Sequence, residues 1–217
     1  MSKIKAYTAA IEAAFSGIPT VWDGKTAIIE MKESGYPHWR QMEWIGFYFQ
    51  HLCEQRLKDI FAFQQPKYGR ASFDGFFHIP FDFKAHATNT SSHSIIVNDE
   101  EAIMLALRDY GAVGLIIAVG DVVYNDENRS FQKWHDEFKG KPSEYVLQNR
   151  ERGAWSRLRK YNMTLRQITI AELTKISLLK CGSFQTNCRN SNGNIRRAKI
   201  SIDLEKLGSE IVHCINY

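Results

Sequence analysis

Apolar residues recur along this chain with two periods, and the switches between them set out an order of elements. Ile4, Tyr7, Ile11 and Phe15 share one stripe at helical spacing, which predicts a helix over residues 1–15, ended by Gly17 and Pro19. Residues 20–37 are mixed and close on Gly35-Tyr-Pro37. From His38 to Ile60, the positions Met42, Ile45, Phe49, Leu52, Cys53, Leu57 and Ile60 repeat at three or four residues and predict a long amphipathic helix. A turn follows at Gln64-Gln-Pro66 through Gly69. Ala71 to Ile79 is aromatic and apolar, as a strand would be, and Pro80 suits a strand's opening rather than its middle. Phe81 to Ala87 alternates, with Phe81, Phe83 and Ala85 on one face and Asp82, Lys84 and His86 on the other. Thr88–Ser94 reads as a polar loop. Asn98 with Glu101 has the form of an N-cap and its capping-box partner, opening a helix that runs to Tyr110 and stops at Gly111. Val113 to Val119 is nearly all apolar, the pattern of a strand covered on both faces. Phe131 to Phe138 reads as helix and Lys160 to Ile170 as strand. Leu178 to Leu204 reads as two strands, or a ribbon, around Asn190-Ser-Asn-Gly-Asn194.

This order predicts an α/β domain with a mixed central sheet flanked by helices, peripheral helices and a C-terminal β-ribbon. No internal repeat or linker divides residues 1–217, so one domain is expected. Composition agrees: 44% hydrophobic and 24% charged residues exclude a disordered chain or a coiled-coil rod. No apolar run approaches the ~20 residues of a membrane span, and the opening residues lack a signal peptide's apolar stretch, so a cytoplasmic location is expected. Cys53, Cys181, Cys188 and Cys214 form no Cys-x-x-Cys pair, which argues against a structural zinc site or a disulfide framework.

Charge changes the picture. The whole chain carries +4, but residues 150–200 hold twelve Lys or Arg against Glu151 and Glu172, a net +10 that leaves −6 for the rest. A basic segment on an acidic remainder suits a polyanionic ligand, although a solvated charged face would look the same.

The chemistry concentrates in Ser72-Phe-Asp-Gly-Phe-Phe-His-Ile-Pro-Phe-Asp-Phe-Lys-Ala-His86. Asp82 and Lys84, two apart on a strand, leave the same face, and a hairpin of 72–78 with 81–87 would bring Asp74 beside Asp82. Two carboxylates and an ammonium among phenylalanines are costly to bury without partners. A divalent cation would compensate, and hard oxygen ligands favour Mg²⁺ completed by water and phosphate. Such a centre suits phosphodiester hydrolysis, with the lysine orienting the attacking water and offsetting developing charge.

Asp74 followed by Asp82-Phe-Lys84 resembles the signature of the PD-(D/E)xK nuclease superfamily. The preceding Trp39-Arg-Gln-Met-Glu-Trp-Ile-Gly-Phe47 adds Glu43, in the place where many members carry an acid in the helix before the catalytic strands. The resemblance covers about residues 38–120. It departs from the pattern at Asp74, which follows Phe73 rather than proline. It implies a restriction-endonuclease-like core in which Asp74 and Asp82 hold Mg²⁺, Lys84 positions water and Glu43 completes the metal shell directly or through water. Within the superfamily the chain most resembles a type II restriction endonuclease, which implies cleavage of double-stranded DNA by a homodimer. The basic region would then face DNA. Gln185, Asn187, Arg189, Arg196 and Arg197 are candidates for base edges, because Arg suits guanine and Asn or Gln suits adenine. Arg157, Arg159 and Lys160 are candidates for phosphates. Two other functions fit the same residues: a structure-selective or repair nuclease of junction-resolvase type, and a DNA-binding protein without catalysis. No Gly-rich phosphate loop, His-Glu-x-x-His or serine nucleophile elbow points elsewhere.

Overall fold

A computed structural model describes residues 2–63, 71–124, 128–142, 144–153, 158–186 and 194–217. The chain opens with α1 (Thr8–Ala14), β1 (Val21–Asp23), α2 (Gly24–Glu33), α3 (Trp44–Arg56), β2 (Gly75–Phe77) and β3 (Ile79–Ala87). It continues with β4 (Ser94–Asp99), α4 (Glu100–Tyr110), β5 (Val113–Tyr124), α5 (Ser130–Phe138), α6 (Glu144–Glu151) and β6 (Lys160–Leu173). It ends with α7 (Lys175–Cys181), β7 (Gly182–Gln185), β8 (Lys199–Asp203) and β9 (Ile211–Asn216).

The apolar run of β5 lies inside the central sheet, whose order is β1-β6-β5-β3-β2 with β9 also on β6. Only a strand buried on both faces tolerates such a run. Asp82 and Lys84 of β3 stand level with Leu115 and Ile117 of β5 in a parallel pair, while the other described pairings in this sheet are antiparallel. Parallel neighbours need a crossover, and β4 with α4 supplies it. A second sheet, β4-β8-β7, is antiparallel throughout.

Apolar side chains pack on both faces of the central sheet. One cluster joins Ile11 of α1, Ile28 of α2 and Phe49 of α3 to Phe81 and Phe83 of β3. The other joins Ile103 of α4, Val97 of β4 and Ile202 of β8 to Leu115 and Ile117 of β5. Phe81 lies so close over Gly114 of β5 that a Cβ there would sit 2.2 Å from the ring. The result is a mixed α/β sheet flanked by helices, as the periodicity predicts. No helix among the described residues is long and apolar enough to cross a membrane.

Several boundaries differ from the sequence reading. The helix predicted from His38 starts only at Trp44, because Pro37–Arg40 form a 3-10 turn and Gln41 turns extended (φ −74°, ψ 143°). The strand predicted from Ala71 shrinks to β2, and the mixed stretch 20–37 contains β1 and α2. Part of the predicted loop and cap region is the strand β4, and the residue at the helix's N-cap position is Asp99 rather than Asn98, with no side-chain cap bond. Leu178 belongs to α7, and the ribbon is β7 with β8. Pro80 sits inside β3 but pairs with the edge strand β2, clear of the β3–β5 ladder that begins at Phe81.

Candidate active site

The β2–β3 hairpin is tight: His78 takes a left-handed φ of 59° between Phe77 and Ile79, which pair with each other. In that register Gly75 faces Phe81, so Asp74 arrives beside Asp82. Asp74 is latched there on both sides. Its backbone N–H donates to the Phe81 carbonyl (2.9 Å), and its Oδ2 accepts from the Phe83 N–H (2.7 Å). A residue held by its backbone to Phe81 and by its carboxylate to Phe83, on either side of Asp82, has little freedom to move away from it.

Asp82 is 1% exposed. Its Oδ1 accepts from Asn98 Nδ2 at 3.3 Å. Among the described residues nothing donates a hydrogen bond to Oδ2; Lys84 Nζ, on the same strand face, stands 3.7 Å from it. Burial pushes the Asp82 carboxyl up to about 7, and Asp74 adds to the rise, while Lys84, Asn98 and Lys199 oppose it. Asp74 is also raised by burial, with Lys84, the Phe83 N–H and His38 pulling it down. Two acids that resist ionising, beside an ammonium whose side chain is 24% exposed, form a site short of positive charge.

The structure thus brings Asp74, Asp82 and Lys84 together. It does not bring Glu43. That residue precedes the first turn of α3 and lines a different hollow of about 800 Å³, together with His86, Tyr124, Arg159 and Lys160. The acid that α3 turns toward Asp74 is Glu54, about three helical turns or roughly 16 Å further along. Glu54 accepts from the Tyr36 hydroxyl (3.4 Å), and its pKa is raised by burial and by Asp74. The sequence reading takes Glu43 as the acid of this helix and does not single out Glu54. Asn98 is the other group missed. Its signal resembles that of a helix cap, yet its side chain reaches Asp82.

The predicted DNA contacts divide. Gln185, at the end of β7, and Arg196 are exposed. Arg197 is exposed but bound to Asp99 Oδ2 at 2.6 Å. Lys160 is half-buried at the hollow's wall. Arg159 is buried and is not a free phosphate contact: it faces Asp136 (3.6 Å), which also holds Lys139 (3.0 Å) and Arg150 (3.3 Å), and its Nη1 lies 3.3 Å from His135 Nδ1. Asn187, Arg189 and Arg157 lie outside the described residues.

The donor set fits a hard divalent cation. Asp82 Oδ2 is a buried carboxylate oxygen with no hydrogen-bond donor among the described residues, and Asp74 raises its cost of ionising. Among the described residues no three His, Cys, Asp or Glu side chains form a metal-binding group; the described donors at this site are the carboxylates of Asp74 and Asp82. That matches Mg²⁺, which takes one or two carboxylates and completes its shell from water and substrate oxygen.

A scan against protein-family models finds no match to this chain, and a search of curated proteins finds none. Among solved structures, the chain is similar to the restriction endonuclease BglI bound to its DNA recognition sequence. The identity is 9% and the TM-score 0.39, and the alignment covers 99% of this chain and 90% of that one.

Proposed function

We infer that the chain is a Mg²⁺-dependent endonuclease of restriction-endonuclease-like fold that cuts double-stranded DNA at a specific sequence, as a type II restriction enzyme does. The observation that carries this reading is the convergence at Asp82: a buried carboxylate oxygen without a donor among the described residues, Lys84 at 3.7 Å, and Asp74 latched alongside. The buried oxygens Asp99 Oδ2 and Asp136 Oδ1 also lack a hydrogen-bond donor among the described residues, but each has a cationic side chain at 3.0 Å or closer, whereas Asp82 Oδ2 has Lys84 at 3.7 Å and so the weakest compensation of the three.

In this reading Asp74 and Asp82 hold the cation. Bound there, Mg²⁺ supplies polarisation of the phosphoryl oxygen and neutralises charge between the carboxylates. The chain's own groups do the rest. Lys84 Nζ donates to the attacking water and sets its line toward phosphorus, and its positive charge offsets the charge that grows on the phosphoryl group. Glu54, held by Tyr36, adds negative potential behind Asp74 and strengthens the attraction for a cation. Cutting both strands of a short duplex site calls for two such centres, which a homodimer provides.

The test is direct. Plasmid DNA incubated with the protein and Mg²⁺ gives discrete fragments, and EDTA prevents them. Lys84→Ala lowers the cleavage rate at least a hundredfold and leaves DNA binding within about twofold, since a group acting only in the transition state affects rate rather than affinity. A smear of products defeats sequence specificity. Cleavage of branched but not plain duplex would assign a structure-selective nuclease instead.

A further inference from the structure

We propose that Asn98 and Asp99 form a connector that fixes Asp82 from one side and holds Arg197 and, at the start of β8, Lys199 from the other; this rests on the nuclease reading above. The connector is built by a bulge. Ile96 pairs with Ser201, but Asp99 pairs with Lys199, so β4 carries one residue more than β8 between those pairs. Plain alternation from Ile95 and Val97 would turn Asn98 outward. The extra residue breaks the alternation, and Val97, Asn98 and Asp99 are buried in succession. Bulges re-aim side chains in this way beside functional sites.

Asn98 then pins both carboxylate-bearing segments. Its amide nitrogen donates to Asp82 Oδ1 (3.3 Å) and to the Ser72 carbonyl (3.0 Å), two residues before Asp74. Its amide oxygen accepts from the Asp99 N–H (2.8 Å). Both nitrogen partners are acceptors and the oxygen partner is a donor, so the amide has one orientation. With Oδ1 occupied, Asp82 is left presenting Oδ2 toward Lys84. Asn98 is a positioning residue: it sets the carboxylate's rotation without touching substrate.

Asp99 holds the other side. Its buried carboxylate takes Arg197 at 2.6 Å and Lys199 at 2.9 Å, and the Glu100 N–H donates to the Ala198 carbonyl (2.9 Å). Half the Arg197 side chain remains exposed, so the same guanidinium that binds Asp99 is available to a DNA phosphate or base. A continuous set of contacts therefore runs from Arg197 through Asp99 and Asn98 to Asp82. A pull on Arg197 by DNA is transmitted to the carboxylate that holds the cation.

The experiment uses the full chain and plasmid DNA, with single-turnover cleavage across a Mg²⁺ titration and DNA binding measured in Ca²⁺. Wild type and Asp82→Asn set the frame: if wild type does not cut, or Asp82→Asn cuts equally well, the nuclease reading itself falls. If wild type cuts and Asp82→Asn does not, Asn98→Ala and the near-isosteric Asn98→Asp each lower the rate about 10- to 100-fold and raise the half-saturating Mg²⁺ concentration, with DNA affinity unchanged. Retained DNA affinity shows that these variants are folded. Arg197→Ala lowers the rate at saturating DNA, and the Asn98→Ala/Arg197→Ala double variant loses at least threefold less than the product of the two single losses, because both break one link. Wild-type cleavage by the Asn98 variants, or losses that multiply in the double variant, overturns the connector.

Discussion

Asp82 sets a conflict between stability and function within one side chain. Its folded carboxyl sits at about 7 against an ordinary 3.8, chiefly because burial disfavours the anion. A raised pKa in an acid means that the neutral form suits the fold. The group's contribution is therefore fully present below about pH 4 and is lost as pH rises through 7, a difference on the order of 4 kcal/mol for a shift of this size. Urea unfolding in EDTA should show the metal-free wild type weakening between pH 4 and 7.5 relative to Asp82→Asn, whose side chain does not titrate. At pH 8 the variant should be the more stable protein and cut no DNA. Millimolar Mg²⁺ should close the stability gap by stabilising wild type alone, since a ligand that binds only the folded state adds to its stability. Equal pH profiles for the two proteins would mean that Asp82 is not held in the buried, uncompensated state described here.

Elements come next, and the parallel pair β3–β5 carries the site. Phe81 and Phe83 anchor one face of β3 in the apolar cluster, which turns Asp82 and Lys84 to the other. The anchor depends on Gly114, whose missing Cβ makes room for the Phe81 ring. Gly114→Ala should cost about 1–3 kcal/mol through overpacking, read as a lower urea midpoint. Cleavage should fall as well, because the ring that must move belongs to the residue beside Asp82. A variant with unchanged midpoint would show that the ring relaxes freely. The alternation of β3 made this much legible in the sequence: Asp82 and Lys84 on one face, phenylalanines on the other, and Asp74 across a hairpin. What escaped were interruptions of a period. The apolar spacing runs unbroken from Met42 to Ile60, yet Pro37 and the extended Gln41 shift the helix start to Trp44. Which end of α3 lies near the hairpin is set by its packing on the sheet, and that packing brings Glu54 rather than Glu43 near Asp74. Asn98 followed by Glu101 matches a cap by composition. The bulge that sends its amide to Asp82 is set by pairing with β8, a hundred residues away in sequence, which no local pattern contains. Asp99 takes the capping position, but its carboxylate is already engaged by Arg197 and Lys199 and makes no cap bond.

At the scale of the molecule, the charge imbalance overstates the surface open to DNA. Twelve basic residues lie in 150–200, but the fold pairs many of them. Arg150 and Arg159 meet Asp136, Arg166 meets Asp121, Lys180 meets Glu210, and Arg197 and Lys199 meet Asp99. Among the described residues of that segment, Arg152, Lys160, Lys175 and Arg196 make no ion pair within 4 Å. Each phosphate neutralised on duplex DNA contributes about −0.9 to the slope of log affinity against log salt. Twelve contacts would give roughly −11; these four together with the half-exposed Arg197 give about −4 to −5. Equilibrium binding of a short duplex in Ca²⁺ between 50 and 300 mM NaCl should return the shallower value. Arg196→Ala should reduce it by about one, as the loss of one phosphate contact requires, and Arg159→Ala should leave it unchanged while lowering stability, since Asp136 would lose a buried partner. A slope near −10 would mean that the internal ion pairs open when DNA binds, and Arg159, Arg166 and Lys199 would then belong to the interface rather than to the scaffold.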